Sequence, residues 1–88
     1  MKLSKEFTDA VNVEIKNVET FMRLHKQYLA DDTMSAAEWD KKNIYCIDSI
    51  NTAVADVERM LEMALARNTG EEVHKQVAYY YKKLKSIK

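Results

Sequence analysis

Residues 36–68 read AAEWDKKNIYCIDSINTAVADVERMLEMALARN and contain neither glycine nor proline. Their apolar residues recur every three or four positions, which places them on one face of a helix. The spacing is close to 3.5 residues, which is typical of helices packed side by side in antiparallel hairpins or coiled coils. Such a helix would extend about 50 Å at 1.5 Å per residue, too long for an isolated small globule to cover. The predicted face consists of Trp39, Cys46 with Ile47, Ile50, Val54, Val57, Leu61, and Ala64 with Leu65.

The segments on either side have the same helical period. Ser4 is a candidate N-cap for a first helix, and Ser35 with Glu38 forms a capping box that starts the second. Residues 69–72 (TGEE) suggest a second capping box, and Asn68 and Gly70 suit the left-handed conformation that often ends a helix. The apolar face of the first helix comprises Phe7, Val11, Ile15, Val18, Met22, His25 and Leu29. That of the third comprises Val73, Val77, Tyr80 with Tyr81, Leu84 and Ile87.

Composition supports the same fold class. The chain has 88 residues with Gly70 as its one glycine and no proline, so it lacks the residues that tight turns between strands require. We therefore predict an all-α fold: a long antiparallel helical hairpin with an additional short C-terminal helix, assembled as an oligomer. The helices are expected at about residues 4–30, 36–68 and 70–86 of a single domain spanning residues 1–88.

The charge balance and the single cysteine narrow the function classes. The 14 basic and 14 acidic side chains cancel, whereas non-specific DNA binding needs a basic excess. One cysteine excludes an internal disulfide, and no apolar run approaches the ~20 residues of a membrane span. The first residues lack the apolar stretch of a secretory signal. We expect a small, soluble, intracellular protein with no DNA or membrane partner.

The chain offers few groups for catalysis. Cys46 lies on the apolar face of the second helix, where a thiol usually behaves as an inert small hydrophobe. His25 and His74 are far apart in sequence and belong to no zinc-ligand pattern. One glycine cannot build a phosphate-binding loop. We therefore expect no enzyme activity, no metal and no cofactor.

Two patches are candidate binding elements. Arg67 carries a planar guanidinium suited to phosphate oxygens, Asn68 and Thr69 follow it, and the amides of a helix starting at Thr69 would attract an anion. The alternative is a plain helix end with a solvated arginine. Lys26 and Tyr28 could hold a nucleotide by charge and base stacking, or could be a surface lysine beside a core tyrosine. We expect residues 79–81 (YYY) mainly to form interface or packing surface.

The end of the second helix resembles the closing helix of the hairpin domain in phage anti-CBASS proteins, which counter the bacterial cyclic-oligonucleotide signalling defence. The resemblance rests on residues 50–54 (INTAV) and 60–68 (MLEMALARN), within a span of about 20 of the 88 residues. Members of that family end this helix in Ala, an aliphatic residue, Ala and Arg, often followed by Asn. Residues 64–68 (ALARN) match that ending.

The resemblance implies a sponge for second messengers. Such proteins form homo-oligomers, commonly hexamers, and in the host cytoplasm they sequester cyclic di- and trinucleotides without cleaving them. Arg67 carries over as a phosphate-binding residue with Asn68 and Thr69 as neighbours, whereas Lys26 and Tyr28 are assigned to the dinucleotide site by residue type alone. The segment 71–88 departs from the family pattern, because many relatives stop soon after the arginine.

Two other interpretations stay open. A small helical protein–protein interaction module, such as a phage inhibitor of a host enzyme or an immunity-type protein, is favoured by the eight acidic residues within residues 31–62. A degradative enzyme acting on cyclic nucleotides would need the catalytic groups discussed above.

Overall fold

A computed structural model describes residues 2–68 and 70–87 as three α-helices: α1 (Lys5–Ala30), α2 (Ala36–Arg67) and α3 (Glu71–Ile87). The prediction of an all-helical fold is confirmed, and the described residues contain no strand. Each observed bound lies within one residue of the expected one. In these same two ranges, no helix combines the length and the apolar character needed to cross a membrane.

Serine side chains cap the first two helices. Ser4 Oγ accepts a hydrogen bond from the Phe7 N–H at 3.1 Å, and Ser35 Oγ accepts one from the Glu38 N–H at 3.2 Å. Each bond satisfies one of the amide donors that a helix N-terminus leaves without an intrahelical partner. Asp31 ends α1, and its Oδ1 accepts bonds from the N–H and the hydroxyl of Thr33 at 2.8 and 2.6 Å. This local turn reverses the chain between α1 and α2.

The end of α2 differs from the expectation of a left-handed cap. Asn68 is extended, with φ −132° and ψ 127°, and no described residue, Gly70 included, has a positive φ. Both the backbone N–H and the side-chain Nδ2 of Asn68 donate to the Ala64 carbonyl, at 3.1 and 3.0 Å. These two bonds satisfy a carbonyl at the helix end that, in a left-handed cap, would accept a bond from a later backbone N–H. The capping box expected at Thr69 lies outside the described residues.

The helices pack along one another into a rod of 53 × 18 × 17 Å. The start of α1 lies beside the end of α2, since Phe7 lines a cavity with Met60 and Ala64. Further along, the Phe21 and Tyr45 rings meet edge to face with centroids 5.9 Å apart. All three helices contribute to one buried core, which consists of Val11, Ile15, Val18, Ala53, Val54, Val57, Leu61, Ala64, Val73, Val77, Tyr80 and Leu84.

The shortest helix, α3, covers only part of the rod. The Leu3 N–H donates to Gln76 Oε1 at 2.8 Å, and Tyr81 and Leu84 line a cavity with Glu58. At 1.5 Å per residue α3 extends about 25 Å and α2 about 48 Å, so α3 cannot reach the first turns of α2. Leu29 and Ile47, which the sequence places on buried faces, are consequently exposed.

Candidate functional site

A cavity of about 450 Å³ opens where the last turn of α1 faces the first turns of α2. Its lining residues are Tyr28, Glu38, Lys41, Lys42 and Tyr45. We call it the tip cavity. The four residues from α2 are spaced i, i+3, i+4 and i+7, which puts them on one side of the helix. The turn after Asp31 brings Tyr28 opposite them.

Lysine and tyrosine are in direct contact within the tip cavity. Lys42 Nζ lies 5.4 Å from the centroid of the Tyr28 ring, within the range of a cation–π interaction. Tyr28 is half-buried, whereas Lys41 and Tyr45 are exposed. The cavity therefore offers two aromatic rings and two ammonium groups around one space, against the single carboxylate of Glu38.

The carboxyl group of Asp31, in the turn beside the tip cavity, is held by hydrogen bonds within that turn. Hydrogen bonds from the Thr33 hydroxyl and N–H, with a smaller contribution from the charge of Lys42, hold the pKa of Asp31 below its ordinary value. Lys42 therefore lies near enough to Asp31 for its charge to act there as well as on Tyr28. A ligand phosphate would compete with both groups for this ammonium.

The tip cavity has room for a small ligand that carries an aromatic ring and a negative charge. Ligand pockets span roughly 300–1,000 Å³, so its volume is ordinary for a small ligand. Aromatic faces stack on nucleobases, and ammonium groups pair with phosphates. The chemistry available is therefore stacking and charge pairing, and it requires no metal.

A second cavity of about 430 Å³ lies at the other end of the rod and contains Arg67. We call it the Arg67 cavity. Its other lining residues are Lys2, Leu3, Ser4, Phe7, Met60, Met63, Ala64 and Asn68. Arg67 is exposed, and Lys2 adds a second positive charge to an otherwise largely apolar lining. From Phe7 to Tyr28 the first helix rises about 32 Å, so one small ligand cannot contact both cavities of the same chain.

The structure distributes the expected site residues as follows. Arg67 and Asn68 line one cavity, but the Asn68 side-chain amide already donates to Ala64 and is half-buried. Thr69 lies outside the described residues. Tyr28 lines the tip cavity, whereas Lys26 is exposed and does not line it.

Sequence reasoning missed four of the five residues that line the tip cavity, namely Glu38, Lys41, Lys42 and Tyr45. The i, i+3, i+4, i+7 spacing from Glu38 to Tyr45 was the available signal, because it predicts a shared face. The spacing within α2 does not predict that this face lies opposite Tyr28 of α1.

Cys46 is fully buried in α2. Burial raises the pKa of its thiol, which lowers the fraction of reactive thiolate. Of the two histidines, His25 is half-buried and His74 is exposed. Within residues 2–68 and 70–87, no three His, Cys, Asp or Glu side chains are grouped so as to hold a metal ion.

Comparison with known proteins gave no match, whether to family models, to curated proteins or to solved structures. The two cavities and the faces around them are therefore the observations on which function can be inferred.

Proposed function

We propose that this chain is a phage immune-evasion protein that binds and sequesters cyclic di- and trinucleotide second messengers without cleaving them. Sequestration would keep the host CBASS effector from being activated. The observation that carries the proposal is the tip cavity, where Tyr28 and Tyr45 lie with Lys41 and Lys42 around one space of about 450 Å³.

The tip cavity supplies both interactions that a cyclic nucleotide needs. A base stacks against a tyrosine ring, and stacking contributes about 1–3 kcal/mol per base. The phosphodiester groups form ion pairs with the ammonium groups of Lys41 and Lys42. Lys42 already rests on the Tyr28 ring, so the positive charge is held next to the stacking surface before a ligand arrives.

The Arg67 cavity is proposed as a second, assembly-dependent phosphate site. A single exposed arginine contact contributes little, because water and salt screen it. In a homo-oligomer of antiparallel α1–α2 hairpins, a hexamer in the proposed form, several copies of Arg67 converge on one ligand and their contacts add. Lys2 lines the same cavity and strengthens its positive potential.

The buried state of Cys46 supports binding without cleavage. The thiol is the strongest nucleophile in the chain, yet it is fully buried and its pKa is raised. Neither cavity is lined by Cys46, so the thiol does not reach a ligand held there.

Isothermal titration against a panel of cyclic di- and trinucleotides tests the proposal. We expect Lys42→Met to weaken binding at the tip cavity at least tenfold, which corresponds to about 1.4 kcal/mol. The matched control is Lys16→Met, which removes the same charge from an exposed position of α1 outside the cavity and should change affinity less than threefold. Equal losses in both variants would show that only overall charge matters. No heat with any cyclic nucleotide would refute the proposal.

A second measurement separates sequestration from hydrolysis. After incubation the protein is denatured and the nucleotide is recovered by chromatography. An intact ring is expected. A linearised product would refute sequestration and would show that the protein is a degradative enzyme.

The alternative, a helical module that inhibits a host enzyme, is favoured by the exposed apolar residues Leu29, Ile44 and Ile47. Exposed apolar surface of this kind often marks a protein-binding face. A stoichiometric partner in a pull-down, together with no response to any cyclic nucleotide, would support that alternative.

A further inference from the structure

Three large apolar residues near the turn between α1 and α2 are exposed. Leu29 is 50%, Ile44 57% and Ile47 43% exposed. We call these residues the tip face. Ile44 and Ile47 are three positions apart and therefore neighbours on the surface of α2.

The tip face continues the surface that α3 covers elsewhere. Ile44 precedes Glu58 by two heptads, and Glu58 lines a cavity with Tyr81 and Leu84 of α3. Ile47 precedes the core residue Val54 by one heptad. Residues related by heptads lie along one side of a helix, so α2 presents to the tip face the same side that it presents to α3. α3 ends before reaching it.

Charges of opposite sign mark the two ends of this surface. Around the turn lie Asp31, Asp32 and Asp40, whereas Glu38, the fourth acidic residue there, lines the tip cavity on the other side of α2. The last turns of α3 carry Lys82, Lys83 and Lys85, and residues 73–87 contain no acidic side chain. Two copies placed antiparallel with their tip faces together would bring the acidic turn of each beside the lysines at the end of the other's α3.

We infer that the tip face is a symmetric interface with a second copy of this chain. The two-fold arrangement uses the same patch twice, as closed dimers do. In each copy, α3 covers this side of α2 at one end of the rod, and the partner's α1–α2 pair covers it at the other end. The net charge of zero imposes no overall repulsion on the pair.

This interface leaves the tip cavity open. At 100° per residue, Lys42 and Tyr45 lie on roughly the opposite side of α2 from Ile44 and Ile47. Dimerisation and nucleotide binding at the tip cavity can therefore be measured separately, whereas the proposed Arg67 site needs an assembly.

The test is the molar mass of the full chain, measured by light scattering and sedimentation over a wide concentration range. The chain mass is 10.3 kDa, and we expect an even number of copies. The double variant I44E/I47E should halve the mass of the assembly with unchanged helicity by circular dichroism. The control is Val13→Glu, which places one such glutamate at an exposed valine outside the tip face and should leave the mass unchanged.

A charge swap tests the proposed orientation of the two copies. K82E/K83E should weaken dimerisation about tenfold, as expected for several exposed ion pairs, and adding D32K/D40K should restore it. A monomer at every concentration, a mass that I44E/I47E does not change, or charge reversals without mutual rescue would overturn the inference. A different protein bound to the tip face of a monomeric chain would overturn it as well. Titration of I44E/I47E with cyclic nucleotides is a separate readout. Binding at the tip cavity without a dimer would overturn only this inference, and a dimer without binding would overturn only the proposed function.

Discussion

Replacing Asn43 with leucine should stabilise the protein. Asn43 is 4% exposed in the core of α2, and its Nδ2 donates to the Trp39 carbonyl at 2.8 Å. Its Oδ1 is buried and has no hydrogen-bond partner within the described part of the chain. A buried acceptor without a partner has lost its hydrogen bonds to water and has formed none in the protein, which lowers the stability of the folded state.

The magnitude follows from three contributions. Removing the unpaired oxygen recovers about 1–3 kcal/mol, and losing the bond to the Trp39 carbonyl costs about 0.5–1.5 kcal/mol. That carbonyl keeps its intrahelical backbone partner, so the substitution strands no new group. A buried leucine adds apolar contact, worth up to about 1.5–3 kcal/mol when complete. The expected net gain is about 2 kcal/mol, or a rise in Tm of about 10 °C for a domain of this size.

Urea and thermal unfolding followed by circular dichroism measure this gain. All samples need one protein concentration, because self-association makes stability concentration-dependent. The matched control is Asn12→Leu at an exposed position of α1, which should stay within about 0.5 kcal/mol of the wild type. An Asn43→Leu variant as stable as the wild type, or less stable, would refute the reasoning. It would show either that Asn43 makes a native interaction beyond those described or that the larger leucine does not fit the buried site.

Three further predictions concern the core, the thiol and the turn. Leu61→Ala should lower the free energy of unfolding by about 2–5 kcal/mol because Leu61 is fully buried. Met63→Ala, at an exposed residue, should change it by about 0.5 kcal/mol. Denaturant titration of both variants measures the two changes. The Cys46 thiol should react with Ellman's reagent at least about tenfold more slowly in the folded chain than in urea, and equal rates would contradict its burial. Thr33→Val should raise the pKa of Asp31 toward its ordinary value, as followed by carbon NMR of the carboxyl group. Because the pKa of Asp31 is lowered in the folded state, the stability it contributes is present above its unfolded pKa and is lost as pH falls through the folded value. The variant should lose part of that acid-side dependence, because the bond from the N–H of residue 33 and the charge of Lys42 remain.

The sequence by itself determined the helices and their starting points. Apolar residues at helical spacing, a single glycine and no proline leave little besides an all-α fold. Ser4 and Ser35 identify helix starts because a short hydroxyl side chain accepts a bond from an amide three residues later, which is a purely local interaction. Tyr80 and Cys46 are buried as predicted, because apolar residues at helical spacing share the face that packs into the core.

Only the tertiary structure decided which side chains meet and which faces stay open. Tyr28 meets Lys42 instead of its sequence neighbour Lys26, because contact across two helices depends on their register and not on separation along one of them. Ile47 repeats the heptad position of Val54 yet is exposed, since a periodic pattern marks a face without showing how far the covering helix extends. Local propensity acts within a few residues of chain, whereas a cavity or an interface needs residues that only packing brings together.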